Sequence, residues 1–111
     1  MTLNLTEKSC RPLPSETPPL TGNELAPYKG ALDSRWAVVD EHHLLGEFEF
    51  PNFIEALAFT NRVGALSEVE GHHPEITLTW GRASVKIWTH SIDGLSENDF
   101  ILAAKIDALE A

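Results

Sequence analysis

Along this chain apolar and polar positions alternate in short stretches and recur every three or four residues in longer ones, which predicts strands and helices in turn. Alternation is clearest at 44–50, where Phe48 and Phe50 fall on one side and Glu47 and Glu49 on the other, as on a sheet with one wet face. With 36–39 before it and a polar turn of Asp40, Glu41, His42 and His43 between, this reads as a hairpin with both histidines exposed in the turn. A second hairpin is predicted from 76–80 and 83–90 about Gly81 and Arg82. It places Val85 and Ile87 on one face and Lys86, Trp88 and His90 on the other.

Helical spacing is strongest after Asn52, a capping residue. A helix to Glu70 carries Phe53, Ala56, Leu57, Val63 and Leu66 on an apolar stripe and stops at Gly71. Gly64 inside it costs ~1 kcal/mol relative to alanine, which a close helix contact would offset. The small residues Ala56, Ala58, Gly64 and Ala65 would also suit packing against a partner chain. Thr21 and Glu24 form a capping box for a short helix over 21–31, where Pro27 predicts a kink or an early end. Ser96 with Asp99 begins the last helix, whose Phe100, Leu102, Ala103, Ile106 and Leu109 complete a core. The order of elements predicts an α+β domain over 20–111: a four-stranded antiparallel sheet with three helices packed on one face. Ahead of it, 1–19 holds Pro12, Pro14, Pro18 and Pro19 among serine, threonine and glutamate. A flexible tail is expected there, with Leu13 and Leu20 able to lay its end against the domain.

A length of 111 residues fits one domain, and 42% hydrophobic with 23% charged residues is an ordinary globular composition. Eight basic residues against 17 acidic ones give a net charge of −9, and the basic residues are scattered singly. That balance argues against nucleic acid as a partner. Cys10 is the only cysteine, which rules out an internal disulfide and a two-cysteine metal clamp. No apolar run approaches a membrane span, and Glu7 and Glu16 stand where an organelle presequence would be acid-poor, so a cytoplasmic location is expected.

His72 and His73 lie between the stop at Gly71 and Pro74, which biases His73 toward an extended conformation and stiffens the turn. Adjacent side chains on an extended segment point apart, so the pair makes a poor chelate, and no metal is expected. Histidines titrate at ~6.5, and a cluster of them with carboxylates suits general acid and base work. Glu68, four residues before His72, would orient an imidazole, and Asp99 first of all caps the last helix.

Glu68, His72, His73, Pro74, Trp80, His90 and Asp99, at these spacings, resemble the signature of the pterin-4a-carbinolamine dehydratases. The resemblance extends to Trp36, to the run Phe48, Phe50 and Phe53, to Thr89, and to Gly94 with Leu95, and so spans about residues 20–109. It implies a fold of four antiparallel strands backed by three helices, assembled as a homodimer or homotetramer. It also implies removal of water from 4a-hydroxytetrahydropterin, the product of aromatic amino-acid hydroxylases, to give quinonoid dihydropterin without metal or organic cofactor. His72, His73 and His90 are then the catalytic residues around the pterin's reacting edge. Glu68, Pro74, Trp80 and Asp99 bind or orient, with Trp80 walling the pterin by stacking. Trp88 and the stretch from Asn98 to Ile106 are similar to a branch that acts in Rubisco assembly. The alternative that branch implies is a non-catalytic, carboxysome-associated chaperone binding the Rubisco large subunit. A third reading follows animal relatives that bind a transcription factor through the dimer's helices, and the acidic charge gives it no support as a direct DNA binder.

Overall fold

Four strands form one antiparallel sheet in the order β1-β2-β4-β3, with β1 at Ala37–Val39, β2 at His43–Glu49, β3 at Glu75–Thr79 and β4 at Arg82–Ile87. The structure is a computed structural model and describes residues 3–109. Leu44 lies opposite Ile87, Gly46 opposite Val85 and Phe48 opposite Ala83, so both central strands turn their apolar set to the same face. All six residues are buried, while Glu47, Glu49 and Arg82 stay in water on the other face. Helices α1 (Leu25–Gly30), α2 (Phe53–Glu70) and α3 (Glu97–Leu109) complete the predicted α+β domain. A β-carbon on Gly46 would come within 2.7 Å of the Trp36 ring, so only glycine lets that indole lie flat on β2. The indole N–H is in turn anchored on Asp107 Oδ1 at 2.9 Å.

α3 is buried on nearly every side, from Asn98 through Ala104 and again at Ile106. It packs against α1 and α2, and against a short 3₁₀ turn at Leu5–Glu7 whose Leu5 sits in the core. The stretch expected to be a flexible tail therefore makes specific contacts with the domain; its first two residues, Met1 and Thr2, lie outside the described residues. Its prolines exclude helix and strand, but an extended segment leaves its backbone N–H and C=O groups available to side chains of the domain.

Pro27 is accommodated because 22–24 form a 3₁₀ turn and α1 begins only at Leu25, which puts the proline in the first turn, where its missing N–H has no helical partner to lose. α2 matches its predicted ends: Asn52 Oδ1 accepts from Glu55 N at 2.9 Å, and Gly71 stops the helix at φ 66°. Its buried stripe is rotated from the expected one. Ala56, Phe59, Val63 and Ser67 face inward, and Phe59 lies 4.5 Å from the Phe48 ring and 5.1 Å from that of Phe50. Phe53 and Leu57, expected in the stripe, are exposed beside Ile54. Nor does Gly64 meet a close neighbour, since a β-carbon there would find nothing within 4 Å.

β4 ends at Ile87 instead of reaching His90. Glu75 at the start of β3 pairs with Lys86 and Leu44 on β2 pairs with Ile87, so beyond Ile87 the ladder has no further partner. The chain instead closes a loop through the Thr89–Gly94 bridge and a 3₁₀ turn at His90–Ile92.

Candidate active site

His72 enters the site directly after the left-handed Gly71 and is tied back by its own N–H to Ser67 O at 3.2 Å. Its Nε2 lies 2.6 Å from Asp99 Oδ1. Asp99 is fully buried, and its other oxygen accepts from Ser96 N and from Thr89 Oγ1, each at 2.8 Å. Thr89 Oγ1 is also 2.7 Å from Ser96 Oγ. Since Asp99 accepts throughout this network, Nε2 of His72 is the donor and the proton-free Nδ1 of the neutral ring is left for other chemistry. Asp99 thus caps the start of α3, as its position after Ser96 suggests, and orients His72 as well.

His73 pairs with Glu68, Nε2 to Oε2 at 2.5 Å, and both side chains are largely exposed. Pro74 follows and leads the chain into β3. His90 opens the 3₁₀ turn after β4 with its ring stacked on Trp88, centroids 4.2 Å apart and planes within 7°. Neither of its ring nitrogens has a hydrogen-bond partner among the described residues. His72, His73 and His90 line one cleft of about 510 Å³, together with Trp88, Thr89 and Ser91. The remaining wall is formed by Glu70, Gly71, Asn98 and residues 10–13 of the N-terminal segment.

Trp80 is not brought to this cleft. It lies past the end of β3, about 17 Å along the strand from the histidine turn, and its side chain is exposed at the tip of the β3–β4 hairpin. The expectation that it stacks in the same site is corrected by the length of the strand that separates them. The sequence reading also missed residues that shape the site. Glu70 takes Lys105 Nζ at 2.6 Å on one oxygen and Cys10 N at 2.9 Å on the other. Burial raises its carboxyl, but these two donors outweigh that and hold it below the ordinary glutamate value. The Cys10 thiol is pushed up to about 12, first by burial and then by the Glu70 charge, and donates to Asn98 O at 3.3 Å.

His42 and His43 are half-buried and not simply exposed in a turn. His42 reaches Asp93 at 2.7 Å and lies against Trp88, with ring centroids 5.6 Å apart. His43 is 6.4 Å from Trp88 and is held below its ordinary pKa by burial, then by the charges of Lys86 and His42. The register of β2 on β4, with Leu44 opposite Ile87, brings His43 near Trp88, a pairing between separate hairpins that a linear pattern does not show. No group of histidine, cysteine and acidic residues among the described residues has the geometry to hold a metal ion.

These features define an α+β domain with three histidines lining one cleft at one end of its sheet. The family model for pterin 4 alpha carbinolamine dehydratase matches residues 18–109, and the chain belongs to that family. It is 51% identical over 104 residues to a putative pterin-4-alpha-carbinolamine dehydratase of Alkaliphilus metalliredigens, covering 94% of each chain. It is 53% identical to the Rubrobacter xylanophilus protein of the same description, covering 95% of this chain and 97% of that one. Among solved structures, a transcriptional coactivator/pterin dehydratase from Brucella melitensis matches with a TM-score of 0.77 at 32% identity, covering 84% of this chain and 99% of that one. A pterin dehydratase-like protein identified as a RuBisCO assembly factor in the alpha-carboxysome matches with a TM-score of 0.56 at 26% identity, covering 68% of this chain and 86% of that one.

Proposed function

We propose that this protein dehydrates 4a-hydroxytetrahydropterin to quinonoid dihydropterin, with His72, His73 and His90 carrying the protons and no metal or organic cofactor. The observation that supports this most is the convergence of the three imidazoles on one cleft, two of them paired with carboxylates. The reaction breaks the C4a–O bond and forms the C4a–N5 double bond. A base takes the proton on N5, an acid protonates the departing hydroxyl, and water leaves. His72, its Nε2–H given to Asp99, offers Nδ1 to the substrate. His73 with Glu68 and His90 with two uncommitted nitrogens supply the remaining proton positions, and Pro74 fixes the turn that carries the first two. Purified protein should accelerate the decay of freshly generated 4a-hydroxytetrahydropterin, and single alanine replacements of the histidines should each cost about a hundredfold. Replacements that left the rate intact would remove the assignment.

The protein is expected to act in the cytoplasm. No helix among the described residues is long and apolar enough to cross a membrane. The exposed edge of α2 at Phe53, Ile54 and Leu57 supports assembly into a dimer or a pair of dimers. A role in RuBisCO assembly is the second reading, and the likeness to the carboxysomal assembly factor supports it. The longer and tighter match to the Brucella pterin dehydratase favours the enzyme.

A further inference from the structure

The proposed reaction uses the histidine side of the cleft and leaves the opposite wall without a role. That wall includes the strap Cys10–Leu13, which lies outside the residues 18–109 matched by the family model. The strap is pinned by four hydrogen bonds. Cys10 N donates to Glu70 Oε1 at 2.9 Å and the Cys10 thiol to Asn98 O at 3.3 Å. Arg11 N donates to Asn98 Oδ1 at 3.1 Å, and Asn98 Nδ2 donates to Arg11 O at 2.7 Å. Both anchors adjoin site residues in the chain: Glu70 comes just before Gly71 and His72, and Asn98 just before Asp99. The two segments that position His72 therefore also position the strap, so the two walls of the cleft are held in register.

Arg11 is the strap's only charged side chain; its guanidinium makes no hydrogen bond or close ion pair among the described residues, and its charge acts on Glu97 only as the last and smallest of the causes that lower that carboxyl. Neighbouring charges are already committed. Glu70 is taken by Lys105 and Cys10 N, and Glu97 by Lys8 Nζ at 2.9 Å and Tyr28 Oη at 3.2 Å. In a chain of net charge −9, Arg11 is the one permanent cation among the residues lining the cleft, and the one carboxylate there, Glu70, is already taken. The reacting edge of a pterin, N5 and C4a, must face the histidines. C6 is bonded to N5, so its substituent leaves the ring beside them and can cross to the strap.

We propose that the strap is part of the substrate site and that Arg11 selects pterins whose C6 substituent carries a carboxylate, through a guanidinium–carboxylate pair. This rests on the pterin reading of the preceding subsection. Fluorescence titration of the purified protein with two unreactive oxidised pterins, pterin-6-carboxylate and 6-hydroxymethylpterin, tests it at low salt. The wild-type protein should bind the carboxylate about tenfold more tightly. Arg11→Gln should abolish that preference, and Arg11→Lys should keep part of it. Equal affinity of the wild-type protein for the two pterins, or an unchanged preference in Arg11→Gln, would overturn the inference and leave the dehydratase reading standing. Failure of both pterins to bind would overturn the inference and the pterin reading together.

Discussion

Asp99 divides one carboxylate between two tasks, since Oδ2 holds Ser96 N and Thr89 Oγ1 while Oδ1 holds His72. Asp99→Asn should therefore do more than loosen a cap. An amide cannot accept at both ends, so His72 loses its fixed tautomer, and kcat should fall about tenfold or more with little change in KM. Steady-state kinetics on a folded variant checks this, and an unchanged kcat would confine Asp99 to capping. Cys10, with its thiol pushed up to about 12 by burial and by Glu70, should resist a disulfide reagent at about pH 8 and react fully once the protein is unfolded. At this scale the family resemblance pointed to His72, His73 and His90, which the structure brings to one cleft, and Ser96 pointed to the capping role of Asp99. The predicted hairpin about Gly81 and Arg82 already put Trp80 at its turn, and the structure shows that the length of β3 keeps it from the histidine cleft, which the resemblance in spacing did not reveal. Nor did it show Trp88 stacked on His90, a contact created by the turn that follows β4.

At the scale of elements, α2 had legible ends because Asn52 and Gly71 are local signals, whereas its inward face depended on a tertiary choice. Phe59 wins the core by packing on Phe48 and Phe50, which turns Phe53 and Leu57 outward. Gly64 gains no compensating contact within the chain, so Gly64→Ala should stabilise the fold by about 1 kcal/mol and raise Tm by a few degrees. Thermal unfolding measures this; a fall in Tm would show that a partner chain packs closely there. The alternation through Trp88 and His90 was real, yet strand pairing depends on neighbours. Neither β2 nor β3 supplies one beyond Ile87, and the resulting turn is what carries His90 into the cleft.

At the scale of the whole molecule, the α+β architecture was readable from the order of patterned stretches, and the docking of residues 3–19 was not. Their prolines and polar residues carry no periodicity, and the segment is held by one hydrogen bond to Glu70, three with Asn98 and Leu5 in the core. Charge couples this assembly to pH. His43 is held below its ordinary value chiefly by burial. Glu70 is raised by burial but pulled lower overall by Lys105 and Cys10 N. Each binds fewer protons folded than unfolded between its two pKa values. Their stabilisation is therefore complete above the unfolded value and lost as pH falls through the folded one. The His43 window opens below about 6.5 and the Glu70 window below about 4.5. Melts at about pH 7.5 and about pH 5.5 should show a drop in Tm that His43→Asn reduces. An unchanged drop in that variant would mean His43 is not its source.

The most direct test of the account is the dehydration rate of freshly generated 4a-hydroxytetrahydropterin with the purified protein and with His73→Ala. Acceleration by the wild-type protein that falls about a hundredfold in the variant is the predicted result. A folded wild-type protein that gives no acceleration would contradict the account and leave the histidine cleft as part of a binding scaffold.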